Sequence, residues 1–205
     1  MTNAANLRAA LKKPGAIKIV GAHDALSARL IERAGFDGIW ASGFAISASM
    51  KCIPDASFID SSEQLAVERN IVEAVSIPVI ADCDTGYGNA LNVMRTVNDR
   101  ERAGVAGICI EDNVYPKRCS FYAGVRRELI PIEEHCSKIK AAKAAQIFPE
   151  FVVIARTEAL IAGWGQEEAL QRAEAYAEAG ADAVLIHSKS KKFDELRAVY
   201  KAWSG

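Results

Sequence analysis

The 205-residue chain predicts an α/β fold, a parallel sheet of the (β/α)8 barrel type of which about six βα units are present. Three observations lead there. Apolar runs of strand length alternate with segments of helical period along the whole chain. A short motif recurs where a helix hands over to the next strand: Ala34-Gly35-Phe36-Asp37-Gly38-Ile39, Ala103-Gly104-Val105-Ala106-Gly107-Ile108 and Ala179-Gly180-Ala181-Asp182-Ala183-Val184. Polar residues gather at the C-terminal ends of successive strands: Trp40 and Ser42, Asp82 and Asp84, Glu111, Arg156 and His187. An open doubly wound sheet also accommodates six strands, but its ligands gather at one switch point, whereas a barrel brings every strand end to one mouth. Residues 1–205 are therefore read as one barrel domain whose C-terminal units are absent.

Each element has its own signal. Residues 1–15 read as a short helix closed by a turn, without the apolar core of a signal peptide. The first strand is 16–21. Asp24 is the N-cap of a helix that carries Leu26, Leu30, Ile31 and Ala34 on one face and stops at Gly35. A strand at 38–41 leads into a long loop through Pro54 and Asp55, then a helix over about 62–75. Ile77-Pro78-Val79-Ile80-Ala81 is a buried strand, followed by a helix over 90–103. Gly107-Ile108-Cys109-Ile110 ends in Glu111 and Asp112, and helix 132–145 follows. Strand 151–155, helix 166–179, strand 183–186 and helix 193–203 complete the chain. In each copy of the repeat a C-cap glycine and a two-residue turn precede a small residue that opens the strand.

Composition removes several classes of function. Half of the residues are apolar, enough for a substantial core. A net charge of -1 gives no electrostatic case for nucleic acid or an anionic membrane. No apolar segment approaches the ~20 residues of a membrane span. The five cysteines are odd in number and lack CxxC spacing, so neither a disulfide framework nor a zinc site is expected, and a reducing cytoplasm is the default compartment.

The richest stretch is Ile80-Ala81-Asp82-Cys83-Asp84-Thr85-Gly86-Tyr87-Gly88-Asn89. Side chains alternate along a strand, so Asp82 and Asp84 are expected on one face. With Glu111 and Asp112 beside them, these acids repel unless a cation sits among them. Oxygen donors without clustered Cys or His suit a hard ion, Mg²⁺ or Mn²⁺, with Asp82, Asp84 and Glu111 as the ligand set. This has the look of an enzyme site. Arg156 ends an apolar strand, where a buried guanidinium must be paired, and its fork matches a carboxylate or phosphonate. His187, after Val184-Leu185-Ile186, reads as a ligand to a phosphoryl oxygen rather than a satisfied core histidine. Ser42 and Gly43, with the Phe44 amide, form an anion-binding turn for a substrate carboxylate, and Trp40 forms a pocket wall. Lys117 and Cys119 lie on a basic loop that also contains Arg118, Arg126 and Arg127, placed to act as a lid. Flanking positive charge is expected to lower the Cys119 thiol pKa. Cys52, Cys83, Cys109 and Cys136 read as packing residues and His135 as a surface residue. The Glu167/Glu168 pair and residues 189–192 read as solvated faces.

Residues 21–43, 81–89, 110–120 and 154–165 resemble the phosphoenolpyruvate mutase/isocitrate lyase superfamily, most specifically through ADCDTGYGN and IEDNVYPKRCS. The resemblance implies a magnesium-dependent α/β barrel that makes or breaks C–C or P–C bonds beside an α-keto carboxylate. It also implies a homo-oligomer, dimer or tetramer, whose last helix is exchanged between subunits. It assigns Asp82 as the direct metal ligand, Asp84 and Glu111 as ligands through bound waters, and Asp55 as a substrate-side acid, and it puts His23 near the mouth. GIWASG, IHS and ALIAGWG are similar to phosphoenolpyruvate mutase and phosphonopyruvate hydrolase, with phosphoenolpyruvate or phosphonopyruvate as substrate. The loop of those enzymes reads EDK-x-FPK-x-N-S, or Thr for Asn in the hydrolase. Here Asn113 replaces the first Lys, Lys117 and Ser120 match, and Cys119 stands at the Asn/Thr position. A cysteine there resembles the lyase branch, where it is an acid/base group within KRCGH. The implied activity is mutase, with hydrolase or methylisocitrate-type lyase as alternatives and an inactive partner-binding member as the non-enzymatic one.

Overall fold

The computed structural model describes residues 2–119 and 127–203. Six strands form one parallel sheet in consecutive order: β1 (Ile19–Ala22), β2 (Gly38–Ala41), β3 (Val79–Asp82), β4 (Gly107–Glu111), β5 (Val152–Thr157) and β6 (Ala183–Ile186). The sheet is curled into a half-barrel, as the alternation of elements predicts. The helices are α1 (Asn3–Leu11), α2 (Ala25–Arg33), α3 (Gly43–Lys51), α4 (Ser61–Ala74), α5 (Ala90–Arg102), α6 (Ile132–Ala145), α7 (Ala159–Ala162), α8 (Gly165–Glu178) and α9 (Asp194–Ala202). Two were missed: α3 lies in the predicted loop, and α7 follows β5 directly.

The three repeats are one piece of chemistry used three times. Gly35, Gly104 and Gly180 have φ of 80°, 80° and 102°, the left-handed conformation that ends a helix cheaply only at glycine. The next amide returns to a helix carbonyl in each case: Phe36 to Ile31, Val105 to Arg100 and Ala181 to Tyr176. The amide after that crosses to the neighbouring strand's end, Asp37 to Lys18 at 2.9 Å, Ala106 to Val79 at 2.8 Å and Asp182 to Val153 at 2.8 Å. Helix stop and strand register are thus set by the same four residues.

Both faces of the sheet are apolar, with period two. Ala81, Ile108, Ile110, Val153 and Ala155 pack outward against α5, α6 and α8, with Phe151 and Tyr176. Ile80, Cys109, Val152 and Ile154 pack on the concave face, where Leu7 of α1 joins them. Burying each of the Ile, Val and Leu side chains among these contributes about 1.5–3 kcal/mol. Arg8 holds α1 in place by donating to the carbonyls of Glu150 and Phe151 and to Asp182.

Several local expectations are corrected. The first strand begins at Ile19, and β5 runs on through Arg156 and Thr157. Leu26 and Leu30 of α2 are exposed, while Ala28 is its buried residue, because α2 flanks the sheet-end strand β1. Phe193 and Tyr200 beside the other end are exposed too. Cys52 is exposed at the left-handed C-cap of α3, so it is not a packing residue, whereas Cys83 and Cys109 are buried. His135 is fully buried, on the α6 face shared with Lys138, Ile139 and Ala142, and its ring lies 4.5 Å from Tyr176.

Gly107 opens β4 so close to its neighbour that a Cβ there would lie 2.6 Å from the Val152 carbonyl oxygen, whereas a Cβ on Gly35 would meet nothing within 4 Å. Gly107→Ala should therefore cost more than about 2 kcal/mol and Gly35→Ala only about 1 kcal/mol, from its positive φ. Urea unfolding of the two variants checks this ordering.

Burial lowers the His135 pKa to about 3 from 6.5, so the folded protein keeps the ring neutral while the unfolded chain takes up a proton below 6.5. Its contribution to stability is complete above that pH and declines as pH falls toward 3. Between pH 7.5 and 5.5 the wild type should lose roughly 1 kcal/mol more than His135→Phe, read from urea midpoints at the two pH values.

Candidate active site

The C-terminal ends of β2, β3, β5 and β6 and the loop after β4 surround a cavity of about 130 Å³ lined by Trp40, Ser42, Phe44, Asp55, Asp82, Lys117, Cys119, Arg156 and His187. That volume suits a small acid and falls below the ~300–1,000 Å³ of drug-sized pockets. A larger, open groove of about 670 Å³ between α2, α3 and α4 includes His23 and Asp24, but it gathers no comparable set of buried charges. The buried charged residues gather at the smaller cavity, and His23 lies outside it.

Nearly every residue singled out by sequence converges there. Gly43 starts α3 close enough that a Cβ would be 3.2 Å from Asp84 Oδ1 and 3.7 Å from the Asp82 carboxyl carbon. Ser42 caps that helix, its hydroxyl accepting from the Ala45 amide at 3.3 Å, and the first amides of a helix have no partner within it. Glu111 lies beside Arg156, with Oε2 3.3 Å from Nε. Ser120 and Arg126 lie outside the described residues.

Asp82 and Asp84 face the same way, but not by strand alternation. β3 ends at Asp82, and Asp84 has φ +50°, left-handed, as does Tyr87 at +58°. Such non-glycine conformations persist only when their surroundings hold them. Here the Cys83 amide donates to Cys109 at 2.9 Å, the Glu111 amide to the Asp84 carbonyl at 2.7 Å and the Gly86 amide to Cys83 at 2.8 Å. Lys138 donates to the Thr85 carbonyl at 3.1 Å, and Gln64 of α4 donates to the Asp82 carbonyl.

The electrostatics are those of crowded, desolvated acids. Burial, reinforced by Asp82, Asp55 and Glu111, pushes Asp84 up to about 7 despite Lys117. Burial likewise raises Asp55 and Glu111. The Lys117 ammonium pairs with Asp55 at 2.9 Å and with Asp84. Burial alone would lower the Lys117 pKa, but Asp84, Glu111, Asp82 and Asp55 together raise it well above the usual range. Lys117, on the loop read from sequence as a lid, is buried, and Cys119 is only 2% exposed. The Lys117 amide donates to Ser57 at 3.0 Å, and Arg127 donates to the Cys119 carbonyl at 2.8 Å.

Three residues make contacts that the sequence did not anticipate. Asn113 donates to Glu111 Oε1 at 2.9 Å. Glu158, fully buried, accepts from Arg156 Nε at 2.6 Å and lies 2.7 Å from His187 Nδ1. Asp112, grouped by sequence with Glu111, turns away from the cavity to meet Thr157, Arg172, Tyr176 and the Glu158 amide. A polar residue directly after a strand of mouth residues was the available signal for Glu158.

A divalent ion fits this donor set. Asp55, Asp82, Asp84, Glu111 and Glu158 outnumber the fixed cations Lys117 and Arg156, and Glu111 Oε2 accepts no hydrogen bond. Among the described residues no three acid, imidazole or thiol groups come together closely enough to hold an ion by themselves. Lys117 takes one side of Asp84, and Mg²⁺ ordinarily retains several waters, so few direct protein ligands suffice.

Residues 7–205 match the family model described as phosphoenolpyruvate phosphomutase. The chain belongs to this family, within the phosphoenolpyruvate mutase/isocitrate lyase superfamily. Phosphonopyruvate hydrolase of Variovorax sp. (strain Pal2) is 51% identical, with 100% of this chain and 70% of that protein covered. Phosphoenolpyruvate phosphomutase of Tetrahymena pyriformis is 48% identical, covering 90% and 61%. 2,3-Dimethylmalate lyase of Eubacterium barkeri is 46% identical, covering 100% and 70%. The chain thus spans 61% to 70% of the length of these relatives. The crystal structure of phosphoenolpyruvate phosphomutase from Streptomyces platensis subsp. rosaceus superposes with a TM-score of 0.96 at 54% identity, covering 98% of this chain and 70% of that one. Phosphonopyruvate hydrolase in complex with oxalate and Mg²⁺ gives 0.92 at 50% identity, covering 100% and 70%. Among the described residues of this family member no helix is long and apolar enough to cross a membrane.

Asp82→Ala should weaken Mg²⁺ binding by about 100-fold or more in calorimetric titration while far-UV circular dichroism stays unchanged. Binding retained at wild-type affinity would remove Asp82 from the ligand set.

Proposed function

We propose that this protein is a phosphoenolpyruvate mutase-like enzyme that interconverts phosphoenolpyruvate and phosphonopyruvate. The observation that carries the reading is the meeting of Arg156 and His187 with Asp82 in one cavity small enough to hold a three-carbon acid and its phosphorus group. Asp82 would hold Mg²⁺ directly, with Asp84 and Glu111 acting through its waters; Mn²⁺ suits the same donors. The ion would supply positive charge to the keto-acid or enolate oxygens. Ser42, Gly43 and the Phe44 amide, at the start of α3, receive the substrate carboxylate. Trp40 walls the cavity, and Asp55 stands on the substrate side, held by Lys117.

The isomerisation balances within one molecule. The P–C bond of phosphonopyruvate breaks with its electron pair passing to the pyruvate enolate, and a P–O bond forms to the enolate oxygen. A loose transfer of this kind asks for positioning and charge neutralisation. Arg156 and Lys117 supply the neutralisation around the phosphoryl oxygens, His187 meets the same group, and Ser120 is assigned to the same loop. The hydrolase reaction differs in the acceptor: water takes the phosphoryl group and the enolate carbon takes a proton. The exposed apolar residues of α2 and α9 support a homo-oligomer, dimer or tetramer, of a single barrel domain.

Cys119 favours a second reading. Its buried position in the cavity wall is where a general acid could protonate a departing enolate in a C–C lyase. Phosphorus NMR separates the two, because P–C and P–O products resonate far apart. The mutase reading expects turnover of phosphonopyruvate by the wild type and equal or higher activity in Cys119→Asn, since an amide donates stronger hydrogen bonds than a thiol. The lyase reading expects cleavage of a methylisocitrate-type substrate that falls about 10²–10⁴-fold in Cys119→Asn. Loss of C–C cleavage in that variant, with no phosphonopyruvate turnover in the wild type, would overturn the proposal.

A further inference from the structure

Glu158 lies just past β5, with 0% of its surface exposed. One of its oxygens, Oε1, is 2.6 Å from Arg156 Nε and 2.7 Å from His187 Nδ1. Arg156 Nη2 is also 2.7 Å from the same His187 nitrogen. Nδ1 can donate to Glu158 or accept from Arg156, but it cannot do both.

Chemistry decides between them. An ionised carboxylate has acceptors only, so a bare Nδ1 would set two lone pairs against each other at hydrogen-bond distance. A guanidinium has five N–H donors and a choice of acceptors, here including Glu158 and the neighbouring Glu111. The arrangement costs least when Nδ1 carries the proton. We propose that Glu158 is a positioning residue that keeps a proton on His187 Nδ1 and fixes the Arg156 guanidinium beside it. The Nε2 side of the ring is then the one left to meet the phosphoryl group. This rests on the reading that His187 and Arg156 meet that group.

Glu158 is itself held from behind. Its amide donates to Asp112 Oδ1 at 2.8 Å, and Asp112 is tied to Arg172 at 3.1 Å and to the Tyr176 hydroxyl at 2.7 Å. The chain of contacts runs from α8, through the end of β4, to the cavity wall. A second layer of this sort fixes tautomer and ring orientation in other histidine sites.

Long-range proton–nitrogen correlation NMR of the full chain reads each imidazole tautomer, and only three histidines contribute. The His187 signal is identified by its loss in His187→Asn. The expected wild-type spectrum has Nδ1 protonated. In Glu158→Gln the new side-chain amide can donate to Nδ1, so the proton should move to Nε2, while Glu158→Asp, which keeps the carboxylate, should retain the wild-type pattern. With phosphonopyruvate, Glu158→Gln should lower kcat about 10–100-fold and change KM far less. A wild-type His187 protonated on Nε2 alone, or a Glu158→Gln spectrum identical to wild type, would overturn the assignment. The wild-type spectrum needs no variant to fold and no turnover, so it judges Glu158 even if phosphonopyruvate proves not to be a substrate.

Discussion

Asp84 is buried beside Asp82, Asp55 and Glu111, and the mutual repulsion of these acids in a poorly solvated mouth is the constraint that shapes the site. Lys117 meets it from above, pairing with Asp55 and Asp84, and Arg156 meets it from the side through Glu111 and Glu158. Neither cation lies on the strand that carries Asp82. One comes from the loop after β4 and the other from β5, so the charge balance exists only when the loop lies over the strand ends. The acids still exceed the fixed cations, and that excess is what makes a divalent ion a natural member of the cluster.

The scaffold behind the cavity is polar as well, and it is closely paired. Arg100 and Glu68 form an ion pair at 3.0 Å with neither side chain exposed. Arg100 also donates to Ser61 and to the Tyr87 hydroxyl, fastening the left-handed turn after Asp84 to α4. Gln64, one helical turn before Glu68, reaches the Asp82 carbonyl. Buried ion pairs add little net stability, since desolvation offsets their attraction, but removing one partner is costly. Their value here is geometric. They hold a turn with two left-handed non-glycine residues in the shape that sets Asp82 in the cavity wall and Asp84 against Lys117.

Much of the fold was legible because its signals are local. The apolar runs of β3, β4 and β6 are short and continuous, and the Ala-Gly turns repeat with the same hydrogen bonds. α6 and β6 lie at their expected bounds. What escaped was set by neighbours distant in sequence. α3 has a serine cap but a weak pattern, and its place is fixed by contact with Asp82 and Asp84. α2 has an apolar face that remains exposed because it flanks the end of the sheet. His135 looked like a surface residue until α8 brought Tyr176 against it. Asp112 and Glu111 are adjacent in sequence, yet pleating sends one to the α8 network and the other to the cavity.

By itself the sequence determined the order of the strands and of most helices, the polar residues at the strand ends and an oxygen-rich donor set, because period, capping and donor type are written in neighbouring residues. Only the tertiary structure decided that Lys117 and Cys119 are buried in the cavity wall, that Asp55 is a partner of Lys117, and that Glu158 meets both Arg156 and His187. These are contacts across 29 to 62 positions of chain for the His187–Glu158 and Lys117–Asp55 pairs, and no local pattern encodes which acid a buried cation will meet. Charge pairing in a desolvated site depends on distance in space, and that is settled by the packing of the whole sheet.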